Sequence, residues 1–187
     1  MKRIKRYGMV IDTRLCVGCG ACVVACKNEN EVPEGLHRAW VVEEVTGAYP
    51  ARSMEVRSER CNHCSAAPCV DACPTGASYR KKGTNIVLVK PGKCTGCRAC
   101  MASCPYDARF VMPGGYVSKC TFCDSRLDQG LEPACVSVCP TRALAFGDLN
   151  DPRSAASRLL KSRSNRALLP EAGTEPNIFY LRNEVTS

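Results

Sequence analysis

The sixteen cysteines of this 187-residue chain fall into four quartets with none left over. Cys16, Cys19, Cys22 and Cys26 are spaced C-x2-C-x2-C-x3-C, and Cys94, Cys97, Cys100 and Cys104 repeat that spacing. Cys61, Cys64, Cys69 and Cys73 follow C-x2-C-x4-C-x3-C. Cys120, Cys123, Cys135 and Cys139 form the last quartet, its two pairs separated by eleven residues. Pro74, Pro105 and Pro140 follow the last three quartets, and Lys27 takes that place after the first.

The C-x2-C-x2-C-x3-C-P run is the signature of bacterial [4Fe–4S] ferredoxins, in which the fourth cysteine ligates the other cluster of a pair. The spacing has a chemical reason. A cubane needs four thiolates on tetrahedrally arranged irons. Three cysteines three apart in a loop curl around one cubane. The fourth lies where a short helix begins to carry the chain away, and so reaches a second. Gly18, Gly20, Ala21, Gly96 and Ala99 are small enough to let backbone amides approach the sulfurs. Zinc ribbons also use C-x2-C pairs, but separated by longer spacers, which only the fourth quartet resembles. A disulfide framework explains an even count but not a repeated spacing. The sequence therefore predicts four [4Fe–4S] clusters held by all sixteen cysteines.

Composition agrees that something other than an apolar core holds the chain. Leu, Ile, Val and Phe total 37 residues, just under 20%, and the formal charge is +8; alone, that combination points to disorder. Each oxidised cluster with its four thiolates carries about −2, so four bring about −8. The basic excess then reads as compensation rather than a nucleic-acid footprint. Arg60, Lys93 and Lys119 directly precede the first cysteine of quartets two, three and four, and Arg14 lies two before Cys16. They are expected to favour the reduced clusters, the alternative being solvated surface charge. The longest apolar runs, such as Ala21–Ala25, fall far short of the roughly 18 residues of a membrane span. The opening MKRIKRYGMVID shows neither a signal-peptide stretch nor a twin arginine.

The fold class expected is α+β and loop-rich, with two nested ferredoxin-like modules. Quartets two and three form a compact inner module, 61–115, with SYR, a KKGTN turn and an IVLV strand between them. YGMVID before quartet one and ALAF after quartet four, closed by Gly147, read as strands that pair. They build an outer module from 1–60 and 116–150. Nesting assigns Cys16, Cys19, Cys22 and Cys139 to cluster one, and Cys26, Cys120, Cys123 and Cys135 to cluster two. Cys61, Cys64, Cys69 and Cys104 go to cluster three, and Cys73, Cys94, Cys97 and Cys100 to cluster four. The rival scheme pairs quartet one with two and three with four.

Within the insertion 27–60, the alternation of AWVVEEV is weak for a strand, and Trp40 suits a core position or a partner anchor. Residues 151–187 read as a basic helix starting at Asp151-Pro152 and running to about Arg163, then an extended arm lying on the body or a partner. Of the two histidines, His63 reads as an exposed loop residue, with a hydrogen bond to cluster sulfur as the alternative. No Ser/His/Asp set, P-loop or complete G-x-G-x-x-G is present, and four full quartets leave no vacancy for Rieske histidines. No catalytic site is expected.

YGMVIDTRLCVGCGACVVACKNEN, PCVDACPTGASY, CPYDARF, YVSKCTFCDSRL, CPTRALAFGDLNDP and EPNIFYL together resemble the iron–sulfur electron-transfer subunits of the molybdopterin oxidoreductase (dimethyl sulfoxide reductase) family. Within it they are similar to polysulfide and thiosulfate reductase subunits. The resemblance implies a non-catalytic relay in anaerobic respiration, through four clusters with crossed pairing. It implies two partners, a membrane anchor reacting with quinone or quinol and a catalytic subunit holding a molybdenum pterin. Cys97 departs from relatives with a non-cysteine ligand in quartet three, and residues 151–187 cannot supply the membrane helix of some formate dehydrogenase relatives. Location at the outer face of the membrane by co-export is implied, although exposed thiolates also suit a reducing cytoplasm. The alternative function is a polyferredoxin-type carrier of a hydrogenase or formate-oxidising complex.

Overall fold

A computed structural model describes residues 4–181, and its organising element is strand β1 (Tyr7–Asp12). Met9, Val10 and Ile11 are fully buried. A continuous apolar run is what a strand covered on both faces requires. The strand is also flanked on both edges. On one side β8 (Leu144–Asp148) pairs antiparallel, Met9 opposite Phe146. On the other β10 (Ile178–Leu181) pairs parallel, Met9 opposite Ile178. The short β9 (Asn165–Arg166) completes the order β8-β1-β10-β9. At Gly8 an added Cβ would lie 2.7 Å from the Asn177 carbonyl and 2.5 Å from Leu149, so only glycine admits this approach.

The other elements are short. Helix α1 (Ala21–Glu29) is followed by the hairpin β2 (Ala39–Thr46) and β3 (Ser53–Arg60). After α2 (Pro68–Asp71) comes the hairpin β4 (Ser78–Arg80) and β5 (Val87–Val89). Then come α3 (Ala99–Ala102), the two-residue pair β6 (Phe110–Val111) and β7 (Val117–Ser118), α4 (Asp124–Asp128) and α5 (Ala134–Ser137). Helix α6 (Ala155–Ser162) follows β8 and packs on the sheet through Ala156 against Val10 and Leu181. The fold is loop-rich, with small helices and strands.

Four expectations need correction. AWVVEEV is a full strand, with all eight residues of β2 in register from Ala39–Arg60 to Thr46–Ser53. Its β-branched residues suffice once β3 supplies a partner. Gly147 does not close β8, which continues to Asp148. The last helix starts at Ser154, whose hydroxyl accepts from the Ser157 N–H at 3.1 Å, and not at Asp151-Pro152. The arm, as far as Leu181, is an interior strand of the body: Ile178, Tyr180 and Leu181 are fully buried. Residues 182–187 lie outside the described residues.

The main core joins Met9, Ile11, Ile86, Phe122, Phe146, Ile178 and Tyr180 to Cys22, Cys61, Cys120 and Cys135. A second packs Cys64, Cys69 and Cys100 against Val87 and Val117. Cysteines thus sit inside both cores.

Candidate metal centres

Two local rules place the sixteen sulfurs. A helical turn begins at the residue before the third cysteine of every quartet: Ala21, Pro68, Ala99 and Ala134. None of these four helix starts has a side-chain cap, whereas α6, which carries no cysteine, is capped by Ser154. Their first N–H groups are left for another acceptor. The helix starts one residue before the third cysteine, where the sequence places it at the fourth. The second rule concerns the residue before the second cysteine, which has positive φ in all four quartets: Gly18, His63, Gly96 and Phe122. At Gly96 a Cβ would also meet the Gly115 carbonyl at 2.5 Å. The two bulky residues stack on each other, ring centroids 3.8 Å apart, and both are buried.

Three cavities are each lined by four cysteines. Cys16, Cys19, Cys22 and Cys139 line one. Cys61, Cys64, Cys69 and Cys104 line another. Cys73, Cys94, Cys97 and Cys100 line the third. The remaining four also adjoin: burial, then repulsion from Cys120, Cys135 and Cys123, pushes the pKa of the Cys26 thiol up to about 12. Neighbouring sets meet in a row. Cys22 acts on Cys135, Cys61 on Cys120, and Cys69 on Cys100. Burial pushes Cys64 up to about 11 as well, with Cys61, Cys69 and Cys104 adding to it. Such thiols become ligands only against a cation that stabilises the thiolate.

Buried cations face this collection of sulfur. Arg60 is 2% exposed; it donates from Nη1 to Cys135 Sγ at 2.9 Å and from Nη2 to the Ser58 hydroxyl. Arg109, 4% exposed, donates from Nη2 to Cys69 Sγ at 2.8 Å and to Ser78 Oγ at 2.9 Å. Lys119, 1% exposed, donates to the carbonyls of Val87 and Cys120. None of the three forms an ion pair with a carboxylate among the described residues. Unpaired buried charge is costly, so a compensating anion belongs here. Of the expected compensating residues, Arg60 and Lys119 are inside, while Lys93 and Arg14 are exposed and Arg14 pairs with Asp12 at 3.3 Å.

His63 is wholly buried, not an exposed loop residue. Its Nδ1 accepts from the Val87 N–H at 3.1 Å, and its Nε2 has no partner. Burial, then the nearby Lys119 and Arg109, holds its pKa well below the usual imidazole value, so the ring is neutral with its proton on Nε2. The unpartnered buried atoms of Arg60, Asn62, His63 and Arg109 also surround these cysteine sets. Orphaned donors, uncapped helix starts and cations without carboxylates all fit an anionic inorganic group with sulfur acceptors. Among the described residues no three His, Cys, Asp or Glu side chains converge as a single ion requires; the thiols surround volumes. Sequence reading missed Arg109 and Phe122. Phe122 carries a signal, a ring where quartets one and three have glycine. Arg109 carries none, because its reach to Cys69 exists only after folding.

Comparison with known proteins gives the same donor chemistry. A family model of a 4Fe-4S dicluster domain matches residues 52–149, and a second 4Fe-4S dicluster domain matches residues 15–77. The chain is similar to the protein NrfC homolog of Haemophilus influenzae, 46% identical over 95% of this chain and 80% of the relative. It is 42% identical to a polysulfide reductase subunit of Wolinella succinogenes, over 96% of each. It is 38% identical to the arsenate respiratory reductase iron-sulfur subunit ArrB of a Shewanella species, over 95% of this chain and 97% of the relative.

Proposed function

This chain belongs to the 4Fe-4S dicluster iron–sulfur subunits of molybdopterin reductases, and we propose that it relays single electrons along four clusters arranged in a row. The observation that carries the reading is the order of the sulfurs. The sets Cys16/Cys19/Cys22/Cys139, Cys26/Cys120/Cys123/Cys135, Cys61/Cys64/Cys69/Cys104 and Cys73/Cys94/Cys97/Cys100 follow one another through the electrostatic pairs Cys22–Cys135, Cys61–Cys120 and Cys69–Cys100, the first two within the main core and the third within the second. Cys19 and Cys97, one in each terminal set, are the only two exposed cysteines of the sixteen. Seven of the eight interior-set cysteines are buried, and a row that reaches the surface at both ends suits entry at one end and exit at the other. The mixing of quartet one with four, and of two with three, supports two nested modules, as does the β1–β8 pairing.

Bound [4Fe–4S] clusters supply one-electron exchange without bond making. The chain's residues hold the thiolates and hydrogen-bond to them. The Ser78 N–H donates to Cys73 at 3.3 Å, the Val117 N–H to Cys94 at 3.4 Å and the Phe122 N–H to Cys120 at 3.4 Å. At the sheet side, Phe122, Phe146 and Ile178 exclude water.

In this reading the chain catalyses no reaction itself. Its partners are a molybdopterin catalytic subunit and a quinone-reactive membrane anchor. The anchor is proposed from the family the chain belongs to; no described helix is long and apolar enough to cross a membrane. The relatives' names, polysulfide, tetrathionate and arsenate reductase among them, favour anaerobic respiration of sulfur or related compounds. We place the complex at the outer face of the cytoplasmic membrane, the chain being carried there with a partner. The test is isolation of the chain from membranes in mild detergent. It should co-purify with a molybdenum protein, its clusters reduced by added quinol and reoxidised by the terminal acceptor. A chain found alone and soluble, or one whose clusters do not respond to quinol, would contradict the reading.

A further inference from the structure

The two interior sets and the two terminal sets have different surroundings. The closest hydrogen bonds to terminal sulfurs come from neutral groups: the Ser58 hydroxyl beside Cys22 at 3.3 Å, Thr141 beside Cys139 at 3.7 Å, and the N–H groups of Ser78 and Val117. Each interior set receives a guanidinium at shorter range, Arg60 on Cys135 at 2.9 Å and Arg109 on Cys69 at 2.8 Å, and the charge of each also reaches a terminal sulfur, Cys22 and Cys100 respectively. Each guanidinium is held by a serine, Ser58 or Ser78, and each has no carboxylate partner among the described residues. Each also leaves buried N–H groups unused, Nε of both and Nη1 of Arg109.

The physical problem at these positions is charge. Adding an electron to a cluster raises its negative charge by one, and burial disfavours that. Without compensation the interior of the row would be a barrier to electrons arriving from either end. An arginine remains protonated at any working pH, so its charge opposes the electron's without taking up a proton. One electron arrives from the neighbouring set and leaves to the next, and no bond is made or broken.

We propose that Arg60 and Arg109 are positioning residues that raise the reduction potentials of the two interior clusters, one each. Arg60 acts through Cys135 and Arg109 through Cys69. The inference rests on the four-set relay reading, so iron and labile sulfide are counted first. Fewer than four clusters in the wild type overturns that reading itself.

The test is a potentiometric titration followed by EPR, on the full chain in its complex, for Arg60→Gln and Arg109→Gln. Each variant should lower its interior cluster most, with a smaller downward shift in the adjoining terminal cluster, and the two variants should affect different interior clusters. At a fixed potential the reduced-to-oxidised ratio of that cluster should fall about tenfold, a downward shift of about 59 mV for a one-electron couple. Arg60→Lys and Arg109→Lys, which keep the charge, should shift it less. Four unchanged potentials, or a shift confined to a terminal cluster, overturn the proposal. A variant that sheds its cluster does not stop the test, because wild-type protein labelled with 15N-arginine answers independently. Pulsed EPR should show nitrogen coupling on two clusters, and coupling on none overturns the proposal.

Discussion

At His63 and Phe122 the backbone holds a left-handed conformation for which quartets one and three use glycine. A non-glycine residue there is strained by about 1–3 kcal/mol, and the chain accepts that strain twice at one contact. Both rings are buried, and Phe122 packs edge-on against Phe146 at 5.2 Å. Phe122→Ala removes this packing and should cost about 3–5 kcal/mol, measured by anaerobic denaturant unfolding. Gly96→Ala tests the same backbone rule from the other side. The positive φ and the Gly115 carbonyl at 2.5 Å leave no room for a methyl group. Iron should fall by one cluster, about four atoms per chain, with the other three retained. The cysteines and glycines of this arrangement were legible because their pattern is local in the sequence. Arg109 and the burial of His63 were not, since each depends on contacts between distant segments.

Among the elements, those that local pattern could place are β1, β4, β5 and β8. MVI forms the apolar centre of β1, SYR and IVLV flank a Gly-containing turn, and ALAF opens the strand that pairs with β1. β10 was not legible as an interior strand. Its four residues follow a proline-containing stretch, and its partner β1 lies at the other end of the chain. Truncation before residue 176 tests how much this strand matters. The loss of Ile178, Tyr180 and Leu181 exposes one edge of β1 and the core beneath it, and the shortened chain should fail to accumulate as a soluble, coloured protein. At α6 the cap is the sensitive point. Ser154→Ala should lower stability by about 1 kcal/mol and leave the visible spectrum unchanged, because the helix packs on the side of β1 occupied by Val10 and Leu181.

Over the whole molecule, the scarcity of large apolar residues and the number of cysteines are one fact seen from two sides. The cores contain cysteines where other proteins place leucine or isoleucine, and buried guanidinium groups face sulfur where a carboxylate partner would be expected. A fold built this way depends on its inorganic groups. Oxidative removal of iron with a chelator should abolish near-UV circular dichroism together with the visible absorption, as metal binding and folding are then one equilibrium. The formal charge of +8 should emerge as a basic, expanded chain in the apo form. The most direct measurement is iron and acid-labile sulfide per chain in anaerobically purified protein. The account predicts about sixteen of each, four per cluster. A folded protein that is colourless, free of labile sulfide or loaded with zinc alone would contradict it.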